Sequence, residues 1–178
     1  MNTPTRTISR SDDLKKLIVL LASAALIAGP AGHLSAAERA TSCGLTGKAN
    51  FKPGITLTPG TYDVTFKGKL ADCLSTGKVT SGKVSAVAVA EASCEFGTVE
   101  GKATVKWDTG KKTKIKFSTT DIGASVTLTG QVTKSSESSF KKNDNILGQL
   151  AFNADVSQCT SGLKSAEFSG QVIGGSPN

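Results

Sequence analysis

The chain has 178 residues, with 21 Lys and Arg against 14 Asp and Glu, one His, one Met, one Trp and four Cys. Its single imidazole, His33, falls in a segment expected to be removed on export, so the mature protein is expected to hold none. That excludes Ser/His/Asp and Cys/His nucleophile arrangements and every imidazole metal site, which need a neutral base or ligand near pH 7.

The N-terminus carries Arg6, Arg10, Lys15 and Lys16, followed by the uncharged run Leu17 to Ala28. This run is too short to span a bilayer and matches the apolar core of a secretory signal peptide. Ser35, Ala36 and Ala37 supply the small residues of a cleavage site, so residues 1–37 read as a signal peptide and 38–178 as one domain. The expected product is secreted, with no transmembrane segment in the mature chain. Lipid attachment at Cys43 is disfavoured, because Glu38 and Arg39 separate that Cys from the apolar run. Export also decides how Cys43, Cys73, Cys94 and Cys159 are read: an even number in an oxidising compartment favours two disulfides, and no CxxC spacing suggests metal or redox use. Three connectivities are open. Cys43 with Cys73 and Cys94 with Cys159 is preferred, since the first pair brackets a hairpin and the second closes a long loop.

Beyond the leader, apolar residues recur at every second position, and Gly, Ser, Thr and Pro fill the intervals, which is the pattern of strands and turns. Cys43 to Phe51 turns its odd residues inward. Pro53, Gly54 and Pro59, Gly60 frame the first connection. Thr61 to Leu70 turns Tyr62, Val64, Phe66 and Leu70 inward. Val84 to Ala92 is apolar on both faces and reads as a central strand. Val99 to Trp107 and Thr113 to Thr119 alternate around Asp108, Thr109, Gly110 and Lys111. Matching parity demands a three-residue loop, placed here around Gly110, with Val105 facing Ile115 and Lys106 facing Lys114. Ser125 to Thr133, Ile146 to Asp155 and Ser165 to Ile173 bring the total to about eight. One apolar face per strand suggests an all-β, antiparallel β-sandwich, immunoglobulin-like or jelly-roll-like, with two disulfides.

A short pattern (apolar, any residue, Gly, Lys or Gln, aliphatic) recurs at Gly47, Gly68, Gly101, Gly130, Gly148 and Gly170, at intervals too uneven for a solenoid. Each Gly lies on the apolar face, where rings are expected to cover it or the strand to bend. Trp107 reads as a core ring, and Ser135 to Lys142 as a polar loop holding Phe140. Asn143, Asp144 and Asn145 resemble part of a calcium loop but lack its Gly and closing Glu. No cofactor or metal site is expected.

Charge is the most suggestive functional feature. The leader takes away four basic residues and two acidic ones (Asp12 and Asp13), leaving 17 basic and 12 acidic side chains. The outward face of the hairpin carries Lys102, Lys106, Lys112, Lys114 and Lys116, a candidate platform for an anionic cell-envelope polymer or a protein partner. Without interleaved aromatics, nucleic acid is the weakest anionic option. A glycan hydrolase working through carboxylates alone would draw on Asp63, Asp72, Glu91, Glu95, Glu100, Asp121 and Asp155, with two of them paired in a cleft. A secreted inhibitor or small-molecule carrier would require an apolar cavity inside the fold.

The order of a first Cys beside a strand, a PGI turn, TYDVTFKGKLADC, a third Cys, TVKWDTGKK and a final Cys resembles uncharacterised small secreted actinobacterial β-sandwich proteins with four cysteines. The resemblance covers essentially the whole mature chain. It implies an exported β domain and assigns no activity and no role to any residue.

Overall fold

The computed structural model describes residues 40–122 and 125–176. The expected signal peptide and His33 lie outside the described residues. Eight strands follow in order: β1 (Ala40–Ile55), β2 (Gly60–Ser75), β3 (Gly82–Ala92), β4 (Gly97–Trp107), β5 (Lys112–Ile122), β6 (Ser125–Ser135), β7 (Asn145–Asn153) and β8 (Leu163–Gly175), with a short 3-10 helix, Val156–Thr160, before the last. Each strand pairs antiparallel with its neighbours in sequence, and β8 returns to pair with β1, closing a single barrel. The two-sheet sandwich expected from the sequence is therefore corrected, and with it the immunoglobulin-like and jelly-roll readings. Sandwich and barrel both need one apolar face per strand; closure is decided by the β1–β8 ladder, from Ala40↔Gly175 to Ala49↔Ala166 and beyond, which leaves no edge.

Curvature comes from specific residues. On β2 the inward residues are even up to Leu70; Asp72 then adopts φ 51°, and the β1–β2 register shifts between Ser42 and Gly44. This bulge reverses the parity so that Cys73 turns inward to Cys43, a bond that regular alternation would have forbidden. A second register shift, between Lys114 and Ile115, lets Thr133 bulge and brings Ser135 opposite Thr113. The recurrent Gly positions answer to close approach. A Cβ on Gly47 would lie 2.6 Å from Phe168 Cζ, and one on Gly101 would lie 2.9 Å from Phe117 Cζ and 2.6 Å from the Val87 carbonyl oxygen. At Gly148 it is the neighbouring strand that presses, with Val172 Cγ1 at 2.9 Å. Rings over Gly and tightly coiled strands both occur, as small barrels require.

The core fills the barrel. Leu45, Ala49, Tyr62, Val64, Leu70, Ala90, Val105, Trp107, Val126, Val132, Ile146, Leu150 and Phe168 belong to one buried cluster. Phe66 meets Phe117 and Phe168 edge-on at ring-centroid distances of 6.0 and 6.1 Å. One end is closed by the β6–β7 loop: Phe140 stacks on Trp107 at 5.2 Å, and Glu137, Ser139 and Asp144 of the same loop are buried. The other end holds the second disulfide, Cys94 to Cys159, which ties the β3–β4 turn to the 3-10 helix. Both disulfides join the cysteines that spacing had paired.

Three further expectations are revised. Val105 faces Thr113, and Lys106 faces Lys112, a register two residues from the expected one. The loop is Asp108, Thr109 and Gly110, with Gly110 at φ 79° and the Trp107 N–H donating to the Lys111 carbonyl. Strand β3 is not apolar on two buried faces: Val87 and Val89 point outward, Val87 with 64 % of its surface exposed. Finally, β1 runs through Pro53 and Gly54 to Ile55, so the first connection is only Thr56 to Pro59.

Candidate functional site: barrel interior and lysine wall

Alternation sorts the strands into two chemically opposite surfaces. Inside lies a cavity of about 220 Å³, bounded by Leu45, Phe66, Ala86, Val99, Ala103, Val105, Phe117, Leu128 and Leu150 among others. Its wall runs from Trp107, Thr113 and Phe140 at the plugged end to Cys94, Glu95 and Phe96 at the other. Small side chains help to leave this space: β3 and β4 present Ala86 and Ala103, side by side in register, and β8 contributes Ala166. Eight-stranded barrels are just wide enough to be filled by side chains or to hold one small ligand, and small inward residues favour the second outcome.

Polar groups in the lining are few, and nearly all are partnered. The Trp107 indole N–H donates to Thr113 Oγ1 at 2.9 Å, and Thr113 shares a further hydrogen bond with Ser135 at 2.8 Å. The Thr41 hydroxyl bonds with that of Ser75, and Ser93 Oγ accepts from the Glu95 N–H. Thr119 is different. It points inward on β5 between Val99 and Leu128, its side chain is 6 % exposed, and its hydroxyl has no hydrogen-bond partner. A buried hydroxyl left so costs about 1–3 kcal/mol. Glu95 is the one ionisable side chain in the lining described, and it sits at the rim beside Phe96, which is 59 % exposed.

Outside, register gathers lysines into rows. Lys69, Lys83, Lys106 and Lys112 stand directly opposite one another across four consecutive strands. Lys48 faces Lys67, Lys102 faces Lys116, and Lys114 faces Lys134. All ten are exposed. Lys102, Lys106, Lys112, Lys114 and Lys116, the five residues singled out in the sequence, thus share one wall, but Lys106 faces Lys112 and not Lys114. The sequence reading missed Lys48, Lys67, Lys69, Lys83 and Lys134, although the inward parity of their strands already placed the first three outside. Lys48, Lys67, Lys69 and Lys83 line a shallow outer groove over Gly47 and Gly68, with Glu167. Like charges facing across a ladder oppose folding. Such a wall also has the polarity opposite to that of a membrane-spanning barrel, whose outward band is apolar; no helix among the described residues is long and apolar enough to cross a membrane.

The carboxylates do not gather in the interior. Of those named for a hydrolase, Glu95 lines the cavity. Asp63, Glu91 and Glu100 are exposed on outward positions, Asp72 is at the bulge, and Asp155 caps the 3-10 helix by accepting from the Ser157 N–H at 3.1 Å. Asp121 pairs with Val126 through its backbone. Asp108 accepts hydrogen bonds from the Thr80 hydroxyl and the Thr80 and Ser81 amides, which hold its carboxyl below the usual range. In the supposed calcium fragment, Asp144 Oδ2 accepts from the Lys141 N–H at 2.7 Å, so that carboxylate serves the turn. Among the described residues no three His, Cys, Asp or Glu side chains gather as metal ligands.

No family model, curated protein or solved structure matches the chain.

Proposed function

We propose that this protein is an exported, non-catalytic carrier that encloses one compact apolar molecule inside the barrel. The single observation that carries the reading is the apolar cavity of about 220 Å³ within a closed barrel. Voids of about 150 Å³ lined by aliphatic and aromatic side chains stay dry and take up benzene, so the space here suits a molecule somewhat larger than benzene. The expected leader and the two disulfides support export. Titration with cyclohexane, followed through the methyl NMR signals of Val105 and Leu128, tests the proposal. Saturable shifts that vanish in an Ala103→Leu variant, which fills the void, are expected; a wild-type protein blind to cyclohexane overturns it.

A second reading concerns the outer wall, favoured by the four-lysine row and by the groove lined with Lys48, Lys67, Lys69 and Lys83. These rows repel one another unless an anionic partner neutralises them, and an envelope polymer with closely spaced anionic groups fits that need. Retention on a sulfated-polysaccharide column measures it. The Lys83→Ala, Lys106→Ala, Lys112→Ala triple variant is expected to elute at clearly lower salt, and unchanged elution sinks this reading.

A further inference from the structure

Charge is sorted along the barrel as well as around it. The wall lysines gather toward the plugged end: Lys83 stands one residue inside the start of β3, Lys106 one residue before the end of β4, and Lys112 opens β5. The three loops at that end, 76–81, 108–111 and 136–144, add the exposed Lys78, Lys111, Lys141 and Lys142. These loops are fastened together. Asp108 accepts hydrogen bonds from the Thr80 and Ser81 amides, and the Thr109 hydroxyl donates to Glu137 at 2.7 Å. Asp144 accepts from the Lys141 N–H within its own loop. Loop donors thus take up three acids of this end, and Asp72 at the β2 bulge is the remaining acid there among the described residues. The opposite end reverses the sign. Glu91 stands one residue before the end of β3, Glu95 in the β3–β4 turn, Asp155 at the N-terminus of the 3-10 helix and Asp63 near the start of β2. Lys52 and Lys164 are the lysines of that end among the described residues.

Resting on the reading of the outer wall, we infer that the anionic polymer lies against the plugged end together with that wall, so that the bound molecule is oriented with its Glu95 and Phe96 rim turned away from the polymer. The row from Lys69 to Lys112 alone spans about 14 Å at a strand spacing of ~4.8 Å, and the loop lysines extend it, so a chain-like anion fits where a small ion would not. Lys83 and Glu91, at the two ends of β3, are roughly 26 Å apart at a rise of ~3.3 Å per residue. That exceeds about two Debye lengths at 0.1 M salt, so each end meets a partner by its own charge and not by the net charge of the molecule. A polyanion on the lysine crown meets cations held on fastened loops. On the rim it meets carboxylates, and like-charge juxtaposition is costly. Orientation bears on the cavity too, because the same rim belongs to its wall. A barrel held by its plugged end keeps that rim in solvent.

The experiment is salt elution from dextran sulfate, with two triple variants that change the net charge equally at opposite ends. Lys78→Ala, Lys141→Ala, Lys142→Ala removes cations from the loops of the plugged end. Glu91→Gln, Glu95→Gln, Asp155→Asn removes carboxylates from the rim, and Asn keeps a capping oxygen for the 3-10 helix. All these side chains are exposed, and the substitutions leave the backbone donors in place. The loop variant is expected to elute at clearly lower salt than wild type, and the rim variant together with wild type. A rim variant that elutes later by as much as the loop variant elutes earlier would show that retention follows net charge. A loop variant that elutes with wild type would leave the plugged end outside the contact. Either result overturns this inference while the reading of the wall stands on its own variant. Wild type that passes through unretained removes that reading and this inference with it.

Discussion

Glu137 sits in the β6–β7 loop with 3 % of its surface exposed, beside the stacked Phe140 and Trp107 rings. Burial works to raise its carboxyl, but hydrogen bonds from Thr109 at 2.7 Å and from Ser138, together with the charge of Lys111, outweigh it and hold the group below the ordinary glutamate range. A carboxyl lowered in the folded state stabilises fully above its unfolded value, about 4.3, and that contribution is lost as pH falls through the folded value. Urea unfolding at decreasing pH is therefore expected to show falling stability in this acid window, with a shallower fall in Glu137→Gln; identical profiles would show that the loop does not depend on the charge. Thr119 carries the reverse prediction. Thr119→Val removes an unsatisfied buried hydroxyl and is expected to unfold at higher urea, gaining about 1 kcal/mol, and a loss of that size would mean the hydroxyl is bonded after all. Much at this scale was legible. Trp107 as a core ring and the Cys partners followed from parity and spacing, whereas the burial of Glu137 in an apparently polar loop had no sequence signal, because nothing in SSESSFKK says which side faces Trp107.

Strands and turns show where alternation stops being sufficient. Inward parity was readable where one face alone is apolar, since period-two burial follows directly from apolar spacing, but not for Val84 to Ala92, which is apolar at both parities. Register was not, because parity alone accepts a loop at 108–110 or at 109–111. Turn chemistry decides: a three-residue hairpin loop places its left-handed residue last, and Gly110, at φ 79°, is that residue. The Asp72 bulge was hidden for a similar reason, although an inward Cys43 bonded to an odd-numbered Cys73 on an even-inward strand already required one. The 3-10 helix is held to the β3–β4 turn by the Cys94 to Cys159 bond, across 65 residues of sequence. Loop-closure entropy puts the loss in a Cys94→Ala, Cys159→Ala variant at about 4 kcal/mol at most. Chemical denaturation should show a loss of a few kcal/mol, and a midpoint equal to wild type would mean that the reduced chain is already held by the ladder alone.

At the level of the whole molecule, the sequence could not separate a sandwich from a barrel. Both bury one face of each strand, and the difference lies in whether β1 and β8 meet, a contact between the two ends of the domain that leaves no local pattern. Closure then changes what the protein can do, because a sandwich core fills by interdigitation while a barrel encloses an axial space. Ala86 and Ala103 on adjacent strands help to keep part of that space open, and the lysines outside keep the wall in water. The most direct test is diffraction from crystals held under xenon pressure, since xenon enters dry apolar voids without needing any recognition chemistry. The account predicts an anomalous peak inside the barrel among Ala103, Val105 and Leu128. Crystals that show no xenon there, with side chains occupying the space instead, would contradict it.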